Sequence, residues 1–424
     1  MLIALVFDKQ EVFAMKKLNP TVIYSELFVT YWCVYCVITG FSSVFLLDIG
    51  YSNTEIGTML AIGNIVSVII QPISANIADR SQKLNTLDIA MIMALVIGVF
   101  EALVLIVGKR SIVLFVAYLA VIAVHAAMQP LLNSVEGMFL HIGKSADYGL
   151  SRSFGSLGYS ITSMILGLAI ASAGSGFLPL VALGFLALLV IGLVVMQRKY
   201  KELAAMAAEA GELSGQSAMA EAAELSEPRN EITMKEFMLR HKLFLVIMFG
   251  VFLMFYHHQV INYYMLQVFQ NVGGDSTDMG LYGSLMTITE VPALMFFTPL
   301  NKKFKTNTLL KVGIVGLMLR GIFMYTATSP LGIQLSLIVN PFGFSLFLAA
   351  IVKYISEIMD EREAVRGQSL YVVVITASAV VASFTGGIIL DVWGASKMLL
   401  LCMILCIVGA AISFRLVDDA AQEC

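Results

Sequence analysis

Twelve stretches of this chain are each about 20 residues or longer and almost free of charge, at about 22–47, 54–78, 88–108, 112–137, 150–172, 176–196, 241–270, 279–300, 307–327, 331–355, 367–390 and 395–416. A run of that length matches a hydrocarbon core of roughly 30 Å. A backbone crossing lipid finds no water to bond, so each run must satisfy its own N–H and C=O groups as a helix. The expected fold is therefore an all-α membrane protein with twelve transmembrane helices. Composition agrees, with 59% hydrophobic and 13% charged residues among 424, where an ordinary soluble domain carries roughly 25% charged.

Residues 198–240, "RKYKELAAMAAEAGELSGQSAMAEAAELSEPRNEITMKEFMLR", form the one long polar interval and divide the spans six and six. The chain should thus fall into an N-terminal six-helix half over 1–197, a cytoplasmic central loop over 198–240, partly helical, and a C-terminal half over 241–424. The halves echo each other. "QPISANIADRSQKLNTL" after the second span is similar to "TPLNKKFKTNTLL" after the eighth, and Gln129-Pro130 in the fourth is matched by Asn340-Pro341 in the tenth. Weak similarity repeated at half the chain length is the trace of a duplicated, pseudo-symmetric bundle with a cavity at the midplane.

Basic residues cluster in alternate loops: Lys16 and Lys17, Arg80 and Lys83, Lys144, Arg198, Lys199 and Lys201, then Lys302, Lys303 and Lys305, with Lys109 and Arg110 as the main exception. By the positive-inside rule both termini face the cytoplasm of a bacterial-type inner membrane. "MLIALVFDKQEVFAMKK" lacks the order of charge and apolar core found in a cleavable signal, and Met15 is an alternative start. Cys33 and Cys36 have the spacing of a metal or redox pair but sit inside a span with no second pair. No nucleotide-binding G-x-x-x-x-G-K and no H-E-x-x-H is present. No enzyme activity, metal, cofactor or nucleic-acid partner is expected, and the protein should be a monomer.

The most informative stretch is "ADYGLSRSFGSLGYS", residues 146–160, at the start of the fifth span. On a helix Ser151, Gly155, Gly158 and Thr162 share one stripe of small residues, where another helix can approach closely. Arg152, Ser156, Tyr159 and Ser163 form the adjacent polar stripe. An arginine just inside a span can snorkel to the interface. With Tyr159 two turns deeper on the same face, a planar fork donor and an aromatic platform share one wall, which suits a polyhydroxylated ring.

"DYGLSRSFGSLGY" resembles the aromatic-Gly-x-x-Arg-x-x-Gly-x-x-Gly-aromatic motif that opens the fifth helix of the oligosaccharide:proton symporters, the lactose permease-like family of the major facilitator superfamily. "QPISANIADRSQK" is similar to that family's loop between helices two and three, with Asp79 and Arg80 at the acidic-basic step and Ala75 and Ser81 where glycines are usual. "GSLMTITE" with "MFFTPL" resembles the eighth helix, "LMLRGI" the ninth and "VKYISE" the end of the tenth. The resemblance implies a major facilitator fold. It also implies that Arg152 and Tyr159 hold a sugar, that Glu290 serves both sugar binding and proton coupling, and that Arg320 is the ninth-helix arginine. The departures are as informative. The family's fourth-helix glutamate falls near Asn133 or Ser134, with Glu136 out of phase. Its tenth-helix histidine and glutamate correspond to Asn340 and Gly343, so close specificity for lactose is not implied.

Ionisable groups inside spans are costly and default to functional hypotheses. His257, His258, Gln259, Asn262 and Tyr263 make the seventh span the most polar. Glu101 and His125 lie in the third and fourth spans, where a mutual or backbone hydrogen bond competes with a transport role. The expectation is a secondary active transporter, a proton-coupled importer of a sugar or glycoside working by alternating access. The substrate site would comprise Arg152, Tyr159, Asn133, Glu290, His258 and Asn262. The proton-linked groups would be Glu290, Arg320, His257 and His258, and Asp79 and Arg80 would form the cytoplasmic gate. A permease for nucleosides or small aromatic acids is the alternative within the class, and a membrane sensor that transports nothing is the alternative outside it.

Overall fold

The computed structural model describes residues 19–81, 84–209 and 234–423. Lys16, Lys17, Lys83, the choice of start residue and the centre of the 198–240 interval lie outside the described residues, as does the Asp79 side chain. No strand occurs among the described residues.

Helix α1 runs through Pro20–Tyr35, a π-helical turn at Cys36–Gly40, and Ser42–Asp48. It is followed by α2 (Asn53–Arg80), α3 (Thr86–Val107), α4 (Ile112–Asn133), α5 (Tyr148–Ala173) and α6 (Leu178–Glu209). The second group opens with α7 (Lys242–Gln270), α8 (Ser276–Asn301) and α9 (Thr306–Thr326). Next comes α10, built from Pro330–Leu335, Ser336–Val339, Pro341–Ser345 and Leu346–Ile358. A helical run at Glu361–Glu423 completes the chain.

That last run holds two expected spans. The apolar part alone covers 58 residues, about 87 Å at 1.5 Å per residue, far more than one crossing needs. It breaks at Gly394 (φ 78, ψ 174), a left-handed backbone that glycine adopts without strain. The two sides, α11 before Gly394 and α12 after it, both return to α7: Ser378 Oγ donates to the Phe252 carbonyl and Ser413 Oγ to that of Ile247. The twelve spans are thereby accounted for. The sixth extends beyond its expected end at 196, to Glu209, and a short helix at Met234–Arg240 precedes α7, so the polar interval is helical at both described margins.

Small residues decide how the helices pack. The stripe on α5 lies against α1: Gly155 meets Trp32 and Phe28, Gly158 meets Val29 and Cys33, and Thr162 Oγ1 contacts Cys33 Sγ at 3.1 Å. Cys33 and Cys36 are buried free thiols. Across the molecule α5 also meets α8, where Gly167 and Gly280 approach so closely that a Cβ on either would stand 2.8 Å from the other's Cα.

Contacts between the two six-helix groups concentrate at one end. There Ser276 Oγ donates to the Gly167 carbonyl and Ser163 Oγ to that of Gly280, each at 3.1 Å, and the hydroxyls of Ser160 and Ser284 lie 2.8 Å apart. At the same end Asp391 on α11 accepts from the N-terminus of α2. Its donors are the backbone N–H groups of Asn53 (3.2 Å) and Thr54 (2.7 Å), Asn53 Nδ2 (2.8 Å) and Thr54 Oγ1 (2.6 Å). Toward the opposite end an apolar groove of about 450 Å³ runs between α5 and α8 on the outer face of the bundle, lined by exposed Leu150, Phe154, Leu157 and Ile288 with Val291 and Pro292. The contacts that hold the two groups together thus lie at the closed end.

Candidate substrate-binding site

Between the groups lies a cavity of about 180 Å³ whose lining includes Trp32 and Tyr35 from α1, Arg152, Ser156 and Tyr159 from α5, His258 and Asn262 from α7, Glu290 from α8 and Phe344 from α10. The two stripes on α5 explain its orientation. Small residues hold one face on α1, and that leaves the adjacent polar face, one step around the helix, directed at the cavity.

Arg152 is not snorkelling. Its guanidinium carbon lies 4.0 Å from the centroid of the Trp32 ring, and Nη1 donates to Ser156 Oγ at 2.9 Å. Stacking on an indole face is favourable for a guanidinium and leaves its edge donors free to meet a ligand. Tyr159 stands beside Tyr35, with centroids 6.2 Å apart. His258 stacks on Phe344 at 4.1 Å with the planes 7° apart. The pocket therefore presents Trp32, Tyr35 and Tyr159 from one group of helices and the His258–Phe344 pair from the other.

Glu290 lines the cavity and forms no hydrogen bond or ion pair among the described residues. It is the only carboxylate among the lining residues. Pro292 lies inside α8 two residues on and removes an N–H from the helix ladder close to it.

Arg320 is 1% exposed and stands behind the wall. The Tyr282 hydroxyl accepts from its Nη2 at 2.7 Å and from Nε at 3.2 Å, Asn340 Oδ1 accepts from Nη1 at 3.0 Å, and His258 Nδ1 lies 3.5 Å away. Asn340 is itself fixed by donating from Nδ2 to the Met286 carbonyl and Thr289 Oγ1, each at 3.2 Å. The tenth-helix asparagine thus holds the ninth-helix arginine.

His257 does not face the cavity. A position next to His258 on a helix points about 100° away, and its ring lies instead near Gly321 on α9, buried with both nitrogens unpartnered. Asn133 also stays outside the cavity. It ends α4, where its carbonyl accepts from the Tyr24 hydroxyl at 3.3 Å, and its side-chain oxygen is buried without a partner. Arg80 is exposed at the C-terminal end of α2, with no ion pair among the described residues. Glu101 and His125 do not bond each other. His125 Nε2 lies 3.3 Å from the Tyr31 carbonyl and its ring stacks on Tyr31 at 4.3 Å. Among the described residues no group of three or more potential metal ligands occurs.

Sequence reasoning missed Trp32, Tyr35 and Phe344 as lining residues, and Asn340 as the partner of Arg320. The aromatic density of "YWCVY" at 31–35 is the available signal for the first two. In a uniformly apolar helix it does not say which ring turns inward.

The profile of the MFS_1 like family matches residues 22–401. No curated protein sequence matches the chain. Several solved structures share its fold. A single-residue variant of the nucleoside transporter NupG superposes with a TM-score of 0.72 at 12% identity, covering 96% of this chain and 100% of that one. The peptide transporter POT in complex with sulfate gives 0.66 at 14%, covering 98% and 99%. A POT family transporter in complex with 5-aminolevulinic acid gives 0.68 at 12%, covering 95% of each chain.

Proposed function

This chain belongs to the MFS_1 like family, and from that premise we propose that it imports a sugar or glycoside together with protons, by alternating access of its two six-helix halves. It is a multi-pass membrane protein and a secondary transporter of the major facilitator type. The observation that carries the sugar reading is the shared cavity, in which Arg152 and Tyr159 of one half face Glu290, His258 and Asn262 of the other. A site built from both halves is remade each time they rock. Arg152 offers fork donors to ring hydroxyls, Tyr159 offers a face to the apolar side of the ring, and Glu290 accepts from hydroxyls or holds the coupled proton. With both termini cytoplasmic, as the distribution of Lys and Arg argues, the closed end is the outer one and this structure faces inward.

One geometric feature favours a second reading. The stacked His258–Phe344 pair opposite Tyr35 and Tyr159 makes a slot with aromatic walls on two sides, which suits a nucleoside base as well as a sugar ring.

The test is uptake by proteoliposomes under an imposed inward proton gradient, with labelled monosaccharides, glycosides and nucleosides compared side by side. Accumulation of a sugar-containing solute that a protonophore abolishes is the expected result. Accumulation of nucleosides alone moves the assignment to the second reading, and uptake indifferent to the proton gradient overturns the coupling.

A further inference from the structure

The charges around the cavity do not balance. Two guanidinium groups, Arg152 and Arg320, stay cationic throughout, and the lining holds one carboxylate, Glu290. Neither arginine forms an ion pair among the described residues. Arg152 is satisfied by the Trp32 face and the Ser156 hydroxyl. Arg320, 1% exposed, is satisfied by Tyr282, Asn340 and His258. All of those partners are neutral, or, for His258, able to add only positive charge. The other two carboxylates deep in the spans lie elsewhere: Glu26 on α1 packs against Gly192 of α6, and Glu101 is buried within the first half. The cavity thus carries a net positive charge with Glu290 ionised, and a larger one with Glu290 protonated. A buried cation without a counter-anion is unfavourable, and a ligand that supplies the anion relieves it.

Resting on the proposed sugar reading, we propose that the preferred cargo is a sugar carrying one carboxylate, a uronate or its glycoside, rather than a neutral sugar. Its carboxylate rests against Arg152, in the field of Arg320. Its ring lies between the Tyr159 and Phe344 walls of the cavity. Proton binding at Glu290 removes the one competing negative charge, so proton and anion favour each other's binding, the sign a symporter needs.

The test uses matched pairs in proteoliposomes under an inward proton gradient: galacturonate against galactose, glucuronate against glucose, and phenyl glucuronide against phenyl glucoside. The acid of each pair should be preferred by about tenfold or more. Asn340→Asp, nearly isosteric, places an internal counter-anion 3.0 Å from Arg320 and should weaken the preference several-fold, the loaded state keeping only half of its positive excess. Asn340→Ala, which adds no charge, should keep the preference even if total flux falls. Neutral sugars taken up as well as or better than their acids overturn the proposal and leave sugar transport standing. An unchanged preference in folded Asn340→Asp also overturns it. Uptake of no member of any pair removes the sugar reading and this proposal with it.

Discussion

At the scale of single residues, the stacked guanidinium of Arg152 sets the sharpest expectation. A lysine keeps the charge but loses the planar face lying 4.0 Å from Trp32 and the fork of donors. Arg152→Lys should insert and fold, yet lose about tenfold or more of its uptake; near-normal uptake would show that Arg152 serves only as a charge at the interface. Tyr159 makes its case through its ring, since its hydroxyl has no hydrogen bond among the described residues. Tyr159→Phe should therefore retain most substrate affinity and Tyr159→Ser should lose it, in a binding titration on purified protein. Equal losses would point to a bond from the phenol to the substrate. Glu290→Gln imitates the protonated acid, so the variant should still exchange substrate in counterflow but fail to concentrate it under a proton gradient. Continued accumulation would move the coupling site elsewhere, with His258, on the cavity wall, ahead of His257, which is packed toward α9.

At the scale of elements, the closed end is held by two different devices. Between α5 and α8 it is close packing, Gly167 against Gly280, with the serine hydroxyl bonds around them. Between α2 and α11 it is electrostatic: the Asp391 carboxylate caps the α2 N-terminus, where unpaired backbone N–H groups and the helix dipole favour an anion. Both devices must release for the site to open on that side. Asp391→Ala should shift the population toward opening there. The measurement is maleimide labelling of a cysteine placed at Met279, which lies near the closed end; the described native thiols are buried and give little background. Labelling no faster than in the Asp391 parent would show that the α5–α8 packing alone holds this end shut.

At the scale of the whole molecule, the inward-facing assignment depends on which side of the membrane holds the termini. A cysteine replacing exposed Lys303, in the α8–α9 turn, should react with an impermeant thiol reagent only from the cytoplasmic side. One replacing Ser329, ahead of α10 at the other end, should react only from outside. The reverse pattern would invert the topology and make this an outward-facing conformation. Under the proposed alternating access, the closed end and the end opposite, where those contacts are lacking, are then the two ends of one rocking motion.

The sequence by itself determined the twelve crossings, because a run of about 20 apolar residues has no alternative in lipid. It also determined the two faces of α5, because helical periodicity alone separates the small stripe from the one bearing Arg152 and Tyr159. Glu290 and His258 were legible as polar groups inside spans, where burial of a charge or imidazole demands a reason. What periodicity cannot supply is the rotation of one helix against its neighbours. That rotation turned His257 toward Gly321, left Asn133 outside the cavity, and brought Trp32, Tyr35 and Phe344 to the wall. It also put Arg320 behind the lining and gave it Asn340 as a neutral partner. Only the tertiary structure could decide these, because lipid and protein interior are equally apolar to a membrane helix, and which face turns inward is set by shape and hydrogen bonding between helices far apart in the chain.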